Sequence, residues 1–140
     1  MTKLTQLENY PTGDCMRTVF ACLLGKKCPT DVPNFMAKGV EHFQKNIDKW
    51  LEEEGLIYVE VPFDSFHEAP FIPDGYFGIS GKSPRGEWDH IVIGESFVYE
   101  NGGLMFRDYK FIHDTSPHHD GVFLDGGPKL MGFLTRKIGD

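Results

Sequence analysis

Residues 12–27 read TGDCMRTVFACLLGKK and predict the first element of the fold, a short amphipathic helix. Thr12 or Asp14 can cap this helix, because a side-chain oxygen at that position accepts hydrogen bonds from the free N–H groups of the first turn. Gly25 is the expected stop. Three side chains recur at helical spacing and form the apolar face: Val19, Cys22 and Leu23. The helix therefore begins close to Cys15.

A second helix is expected from about Val40 to Glu54, followed by Gly55 as the residue that ends it. Its apolar stripe comprises Val40, Phe43, Ile47, Trp50 and Leu51. After Gly55 the chain reads as strand-like segments between Gly-rich breaks: LIYVEVP, GYFGIS, DHIVIGE, SFVYEN, LMFRDYKFIHD and LMGFLTRKI. Short connections favour antiparallel pairing. The sequence thus predicts one α+β domain over residues 1–140, with its N-terminal helices packed on one face of a mostly antiparallel sheet.

Composition limits the classes of partner. The chain has 140 residues, a formal net charge of −7, three cysteines and twelve phenylalanines. The negative charge disfavours nucleic acid, and no run of about 18 apolar residues indicates a membrane span. The absence of an N-terminal signal and the odd cysteine count favour reduced thiols and a cytoplasmic location. The many phenylalanines predict a core built on aromatic packing.

Cys15 is the first candidate for chemistry. Free N–H groups and the positive end of the helix dipole favour a thiolate in a first helical turn, and the same N–H groups can receive an oxyanion. Adjacent Asp14 opposes this unless its carboxylate points away. Cys15 also continues the apolar stripe of the helix, so a buried, unreactive thiol is an equally good interpretation. Cys22, in mid-helix, is expected to be structural.

A thiol nucleophile needs a base, and the base needs a group that orients it. His90 stands at the head of the apolar strand segment DHIVIGE, and Asp114 stands at the end of another strand segment. In isolation, His90 is better explained as a structural histidine at a strand edge. The chain order of helix N-terminal Cys, strand His and strand-end Asp nevertheless predicts a Cys15-His90-Asp114 catalytic site.

This order resembles the papain-like cysteine peptidase superfamily and, more narrowly, small papain-like domains of bacteria and bacteriophages. Four segments carry the resemblance in order: GDCMRTVFACLLG, DVPNF, SPRGEWDHIVIG and HDTSPHHDG. The match as a whole spans roughly Gln6 to Gly121, most of the chain. The resemblance implies a papain-like fold, with Cys15 as nucleophile, His90 as base and Asp114 as orienting residue.

The resemblance also implies a side chain upstream of the cysteine that donates to the oxyanion. Gln6 is the candidate, with Asn9 as its rival. Arg85, in the Gly- and Pro-rich loop before His90, is a weaker candidate for binding a substrate carboxylate or carbonyl. One departure is Thr115, which stands where the family pattern has proline, so the backbone after Asp114 is less constrained.

A metal site is the competing interpretation of the segment near Asp114. Five potential ligands crowd into eight residues: His113, Asp114, His118, His119 and Asp120. Histidine and carboxylate side chains suit zinc or iron, and Cys15 could join them. Adjacent histidines in extended chain point to opposite faces, however, and solvated turn residues remain the simpler interpretation of His118 and His119.

Together, these patterns predict a hydrolase without cofactor or metal that cleaves an amide or isopeptide bond in a peptide or protein substrate. The same residues suit an acyltransferase in which an amine replaces water. Two alternatives remain: a catalytically inactive papain-like scaffold that binds or inhibits a partner, and a metal-dependent hydrolase.

Overall fold

The computed structural model describes residues 1–7, 15–36, 39–67, 72–83, 89–116 and 127–138. Within these residues two α-helices precede five β-strands. The helices are α1 (Cys15–Leu23) and α2 (Phe43–Glu54), and the strands are β1 (Leu56–Pro62), β2 (Gly75–Lys82), β3 (Asp89–Asn101), β4 (Leu104–His113) and β5 (Pro128–Arg136). Helices first and a sheet second confirm the predicted α+β class.

Helix α1 ends where its sequence predicts. Gly25 has a φ of +69°, which glycine adopts without steric cost. Its N–H donates to the carbonyl of Cys22, and the N–H of Lys26 donates to the carbonyl of Ala21. This pair of bonds is the Schellman arrangement, which satisfies carbonyls that the helix leaves open. The proposed caps at the other end, Thr12 and Asp14, lie outside the described residues.

Helix α2 also ends as predicted but begins later. Gly55 adopts the left-handed conformation, and its N–H donates to the carbonyl of Glu52. The first residues of the predicted helix, Val40–His42, form a tighter 3-10 turn, and the α-helix starts at Phe43. The apolar stripe is confirmed at three positions, which are buried: Ile47, Trp50 and Leu51.

The sheet has the strand order β1-β5-β2-β3-β4, and each neighbouring pair is antiparallel. The predicted segments DHIVIGE and SFVYEN are one continuous strand, β3, because it pairs with β2 up to Ser96 and with β4 up to Asn101. Gly102 and Gly103, both with positive φ, form the turn into β4. The ends of β3 and β4 that lie away from this turn therefore meet at one end of the sheet.

Helix α1 packs directly on β3. Val19 and Cys22 on the helix form a buried cluster with Ile91 and Ile93 on the strand, and Cys15 contacts its margin. The apolar face predicted for α1 is thus the surface that docks the helix. This docking sets the first turn of α1 over the beginning of β3.

An aromatic cluster joins the two helices to the sheet, as the phenylalanine content predicts. The Phe20 ring on α1 stacks on Trp50 of α2 at 5.5 Å between centroids and meets the ring of Tyr58 edge-on at 4.9 Å. Tyr58 on β1 belongs to the surroundings of both helix clusters, so α1 and α2 lie on the same face of the sheet.

Tyr58 lies flat across its neighbouring strands because two glycines make room for it. A Cβ atom added to Gly132 on β5 or to Gly78 on β2 would collide with the Tyr58 hydroxyl. Glycine inside a strand often marks such a close approach. The ring in turn provides the platform on which Phe20 packs.

The opposite face of the sheet has its own core. Val92 alternates with Ile91 and Ile93 along β3 and packs into a separate cluster, as expected when successive side chains point to opposite faces. The largest members of this cluster are buried side chains from β2, β5 and the segment after β1: Phe66, Phe77 and Met131. Both faces of the central strands are therefore covered, which fixes the position of His90 at the start of β3.

None of the helices in the described part of the chain is long and apolar enough to cross a membrane.

Candidate functional site

His90 and Asp114 are brought together at the end of the sheet opposite the β3–β4 turn. His90 is the second residue of β3, Asp114 directly follows β4, and the strand register pairs Ile93 with His113. His90 Nε2 lies 2.7 Å from Asp114 Oδ1, and the His90 side chain is only 2% exposed. A buried imidazole and a carboxylate at this distance form a strong hydrogen bond, which fixes the orientation of the ring.

The turn after β4 holds the Asp114 carboxylate in place. Asp114 Oδ1 accepts a second hydrogen bond, of 2.9 Å, from the backbone N–H of Ser116. This is the local bond by which an aspartate side chain closes a turn on its own backbone. Thr115 and Ser116 are both fully buried. Residue 115 is threonine where the family pattern has proline, and Asp114 is nevertheless held in contact with His90.

Hydrogen bonds and charge around His90 favour its protonated form. Burial alone lowers the pKa of the ring, because it penalises the charged imidazolium. Hydrogen bonds to the side chains of Asp114 and Cys15, and the negative charges of both groups, outweigh burial and raise the pKa of His90 to about 9. At neutral pH the ring is thus an imidazolium between two acidic partners.

Cys15 is the first residue of α1 and is partly exposed. Its side chain is hydrogen-bonded to the side chain of His90, whose Nε2 is engaged by Asp114. Backbone N–H groups in a first helical turn have no partner within the helix. Cys15 therefore lies beside His90 and at the start of a helix, where backbone N–H groups can receive an oxyanion.

The N-terminal segment of residues 1–7 is tied to the same turn. The His113 ring bonds to the carbonyl of Leu4 through Nε2 at 2.5 Å, and the backbone N–H of Gln6 donates to the carbonyl of Thr115 at 2.8 Å. Thr115 Oγ1 also donates to Gln6 Oε1 at 3.2 Å, and both side chains are buried. Gln6 thus lies beside the residue that follows Asp114, and its proposed role as an oxyanion donor stays a prediction.

The other two cysteines have different surroundings. Cys22 is fully buried, its sulfur accepts a hydrogen bond from the Leu4 N–H at 3.3 Å, and burial raises the pKa of its thiol. Cys28 is partly exposed, with its sulfur 3.0 Å from the Thr30 hydroxyl. Cys22 is structural, as predicted, and Cys28 resembles Cys15 in exposure but not in its neighbours.

Two of the five side chains proposed as metal ligands, His113 and Asp114, lie in the part of the chain that the structure describes. His113 bonds to a backbone carbonyl and Asp114 to His90. Among the described residues, no group of three or more histidine, cysteine and acidic side chains is arranged to hold a metal ion. The remaining three candidates lie outside the described residues: His118, His119 and Asp120. Arg85 and Asn9 lie outside them as well, so their proposed roles stay predictions.

Sequence reasoning missed the contributions of His113 and Thr115. The hydrogen bond from the Ser116 N–H to the Asp114 carboxylate could have been predicted, because aspartate often closes a turn by accepting a bond from the backbone two residues later. The bonds from His113 to Leu4 and from Thr115 to Gln6 each join residues 109 positions apart. No local pattern reveals such pairs.

No protein-family model, curated protein or solved structure matches this chain. Fold class alone does not define an activity, so any functional assignment depends on the chemistry of the site.

Proposed function

We propose that the chain is a papain-like cysteine hydrolase that cleaves an amide or isopeptide bond, with Cys15 as nucleophile, His90 as acid and base, and Asp114 as orienting residue. The observation that carries the proposal is the environment of His90, which bonds to Asp114 at 2.7 Å, interacts with Cys15 and has a pKa of about 9. Perturbed titratable groups with specific charged partners are typical of catalytic sites.

In the resting state, the Cys15 thiolate and the His90 imidazolium form an ion pair. The sulfur attacks the carbonyl carbon of the scissile bond and forms an S–C bond, while the carbonyl oxygen takes the negative charge. The intermediate collapses when the C–N bond breaks and His90 gives its proton to the leaving amine. The product of this half-reaction is a thioester on Cys15 beside a neutral imidazole.

Acylation itself prepares His90 for the second half-reaction. The thioester sulfur carries no negative charge, so one of the two charges that raise the pKa of His90 is removed. The neutral ring can then take a proton from water, whose oxygen attacks the thioester carbon. The acid product leaves as the C–S bond breaks, and the thiolate-imidazolium pair is restored. An amine in place of this water would give acyl transfer.

Two donors are proposed for the oxyanion, the backbone N–H of Cys15 and the side-chain amide of Gln6. The first belongs to the first turn of α1, whose N–H groups have no partner within the helix. The second is supported by the position of Gln6 next to Thr115, one residue beyond Asp114. Preorganised donors of this type are often the largest single contribution to catalysis of acyl transfer.

The proposed substrate is a peptide or protein, encountered in the cytoplasm, where thiols remain reduced. All three cysteines lie in the described residues and are free thiols. No metal or cofactor takes part in the proposed reaction, since nucleophile, base and oxyanion donors are all groups of the chain.

The competing assignment is an inactive papain-like scaffold that binds a partner. The two assignments differ in the reactivity of Cys15. An activated Cys15 reacts with iodoacetamide at pH near 6, where an ordinary thiol is almost entirely protonated. Cys28 is the internal reference, because it is also partly exposed.

We expect peptide mapping after brief treatment with iodoacetamide to show Cys15 modified well before Cys28, and the preference to disappear in His90→Ala. Labelling of Cys28 first, or equal labelling of both in the parent protein, would favour the scaffold.

A further inference from the structure

Thr115 connects two parts of the candidate site that are far apart in the sequence. Through its backbone it follows Asp114, whose carboxylate bonds to His90. Through its carbonyl and its hydroxyl it bonds to Gln6 at both the backbone and the side chain, at 2.8 and 3.2 Å. Thr115 is fully buried, so its hydroxyl is held by protein groups and not by solvent.

The hydroxyl bond determines how the Gln6 amide is oriented. A glutamine amide has one end that accepts hydrogen bonds and one that donates them, and the two ends can exchange by rotation. Because Thr115 Oγ1 donates to Gln6 Oε1, the oxygen end is held against the turn after β4. The nitrogen end, which alone can donate to an oxyanion, thereby points away from the Thr115 hydroxyl.

The neighbouring residue on the other side of Asp114 supports this arrangement. His113 bonds to the carbonyl of Leu4, two residues before Gln6. Leu4 is also held to α1, since its N–H donates to the Cys22 sulfur. The segment that carries Gln6 is therefore fastened to the helix that carries Cys15 and to the turn that carries Asp114.

We propose that Thr115 is a positioning residue that orients the Gln6 amide toward the oxyanion formed at Cys15, through the hydrogen bond from Thr115 Oγ1 to Gln6 Oε1. This inference rests on the proposed function, because an oxyanion forms only if Cys15 attacks a carbonyl. It predicts that loss of the Thr115 hydroxyl weakens acylation of Cys15 without weakening the thiolate itself.

Two reagents separate these effects. With p-nitrophenyl acetate, the Cys15 thiolate forms an S–C bond to the acetyl carbon, an oxyanion develops, and the C–O bond to p-nitrophenolate breaks. With iodoacetamide, the sulfur displaces iodide from a CH₂ carbon and no oxyanion develops. Both reactions need the thiolate, so the ratio of the acylation rate to the alkylation rate of Cys15 does not depend on the fraction of thiolate. The ratio therefore measures how well the oxyanion donors stabilise the intermediate.

The main variant is Thr115→Val, which keeps the shape of the side chain and removes the hydroxyl. We expect its ratio to fall about tenfold or more, within the 10²–10³-fold that complete removal of an oxyanion donor costs. Thr115→Ser restores the hydroxyl and should restore the ratio. Ser96→Ala is the matched control, because it removes another buried hydroxyl, which bonds to Arg107 on β4. Its ratio should equal that of the parent.

A double variant tests whether Thr115 acts through Gln6. Gln6→Ala should lower the ratio by itself, and adding Thr115→Val should lower it no further, because residues that act as one unit are not additive. If Thr115→Val does not fold, as judged by its thermal transition, Thr115→Ala removes the same hydroxyl without placing a methyl group against Gln6.

Failure of this inference and failure of the proposed function give different results. If Thr115→Val or Thr115→Ala keeps the parent ratio, or lowers it equally in the Gln6→Ala background, the positioning role is wrong although Cys15 is reactive. If the parent Cys15 alkylates no faster than Cys28 at pH 6, the proposed function is wrong and the positioning role fails with it.

Discussion

Replacing Asp114 by asparagine tests the electrostatic link within the site. The substitution keeps the size of the side chain and one oxygen that accepts a hydrogen bond from His90, and it removes the negative charge. His90 then retains Cys15 as its remaining negative partner while its burial is unchanged. The pKa of His90 must therefore fall.

The size of the effect follows from the environment of the ring. A pKa of about 9, against the ordinary 6.5, corresponds to ~3 kcal/mol in favour of the imidazolium. One opposite charge at hydrogen-bonding distance shifts a pKa by about 1 to 3 pH units, so Asp114→Asn is expected to bring His90 back toward neutrality. Asp114→Ala removes the acceptor as well, and burial should then lower the pKa further.

The assay is an NMR titration of the histidine rings in the parent protein and in each variant. The chain has six histidines, and the His90 signals are identified by their absence in His90→Gln. Cys15→Ala is the companion variant, because it should also lower the pKa of His90 by removing the second charge. A His90 that titrates near 6.5 in the parent, or whose pKa is the same in all these proteins, would contradict the electrostatic link to Asp114 and Cys15.

Three further outcomes follow from the structure. Because the folded-state pKa of His90 is raised, its protonation stabilises the fold fully below pH 6.5, and this stabilisation is lost as the pH rises through about 9. In urea titrations between these pH values, the unfolding free energy of the parent should fall by up to ~3 kcal/mol relative to that of His90→Gln. Gly132→Ala forces a methyl group against the Tyr58 ring and should cost ~1–3 kcal/mol of unfolding free energy, and an unchanged urea midpoint would contradict the packing described for Tyr58. EDTA should change neither the thermal midpoint nor the Cys15 alkylation rate, whereas stoichiometric zinc lost together with stability would support the metal-dependent alternative.

Features that depend on neighbouring residues were predictable from the sequence. The stops of both helices followed from Gly25 and Gly55, since left-handed backbone after an apolar stripe is a local property. The apolar face of α1 followed from periodicity in the same way. The continuity of β3 did not follow from the periodicity, because Gly94 and Ser96 interrupt the apolar pattern. Both residues nevertheless pair with β4.

Features that join distant residues required the structure. Chain order suggested that Cys15, His90 and Asp114 could meet, and the bond between His90 and Asp114 depends on the register of β3 with β4. The orientation of Gln6 by Thr115 depends on how the chain start docks beside the end of β4. Neither register nor docking leaves a periodic signal in the sequence.

Locating the acyl group during reaction with an activated ester tests most directly whether Cys15 is a nucleophile activated by His90. The protein is mixed with p-nitrophenyl acetate at pH 6, quenched in acid, digested and analysed by mass spectrometry. We expect a thioester on Cys15 that forms before any on Cys28, is lost as hydrolysis proceeds, and does not form preferentially in His90→Ala. Equal acylation of Cys15 and Cys28, or the same preference for Cys15 without His90, would contradict this expectation.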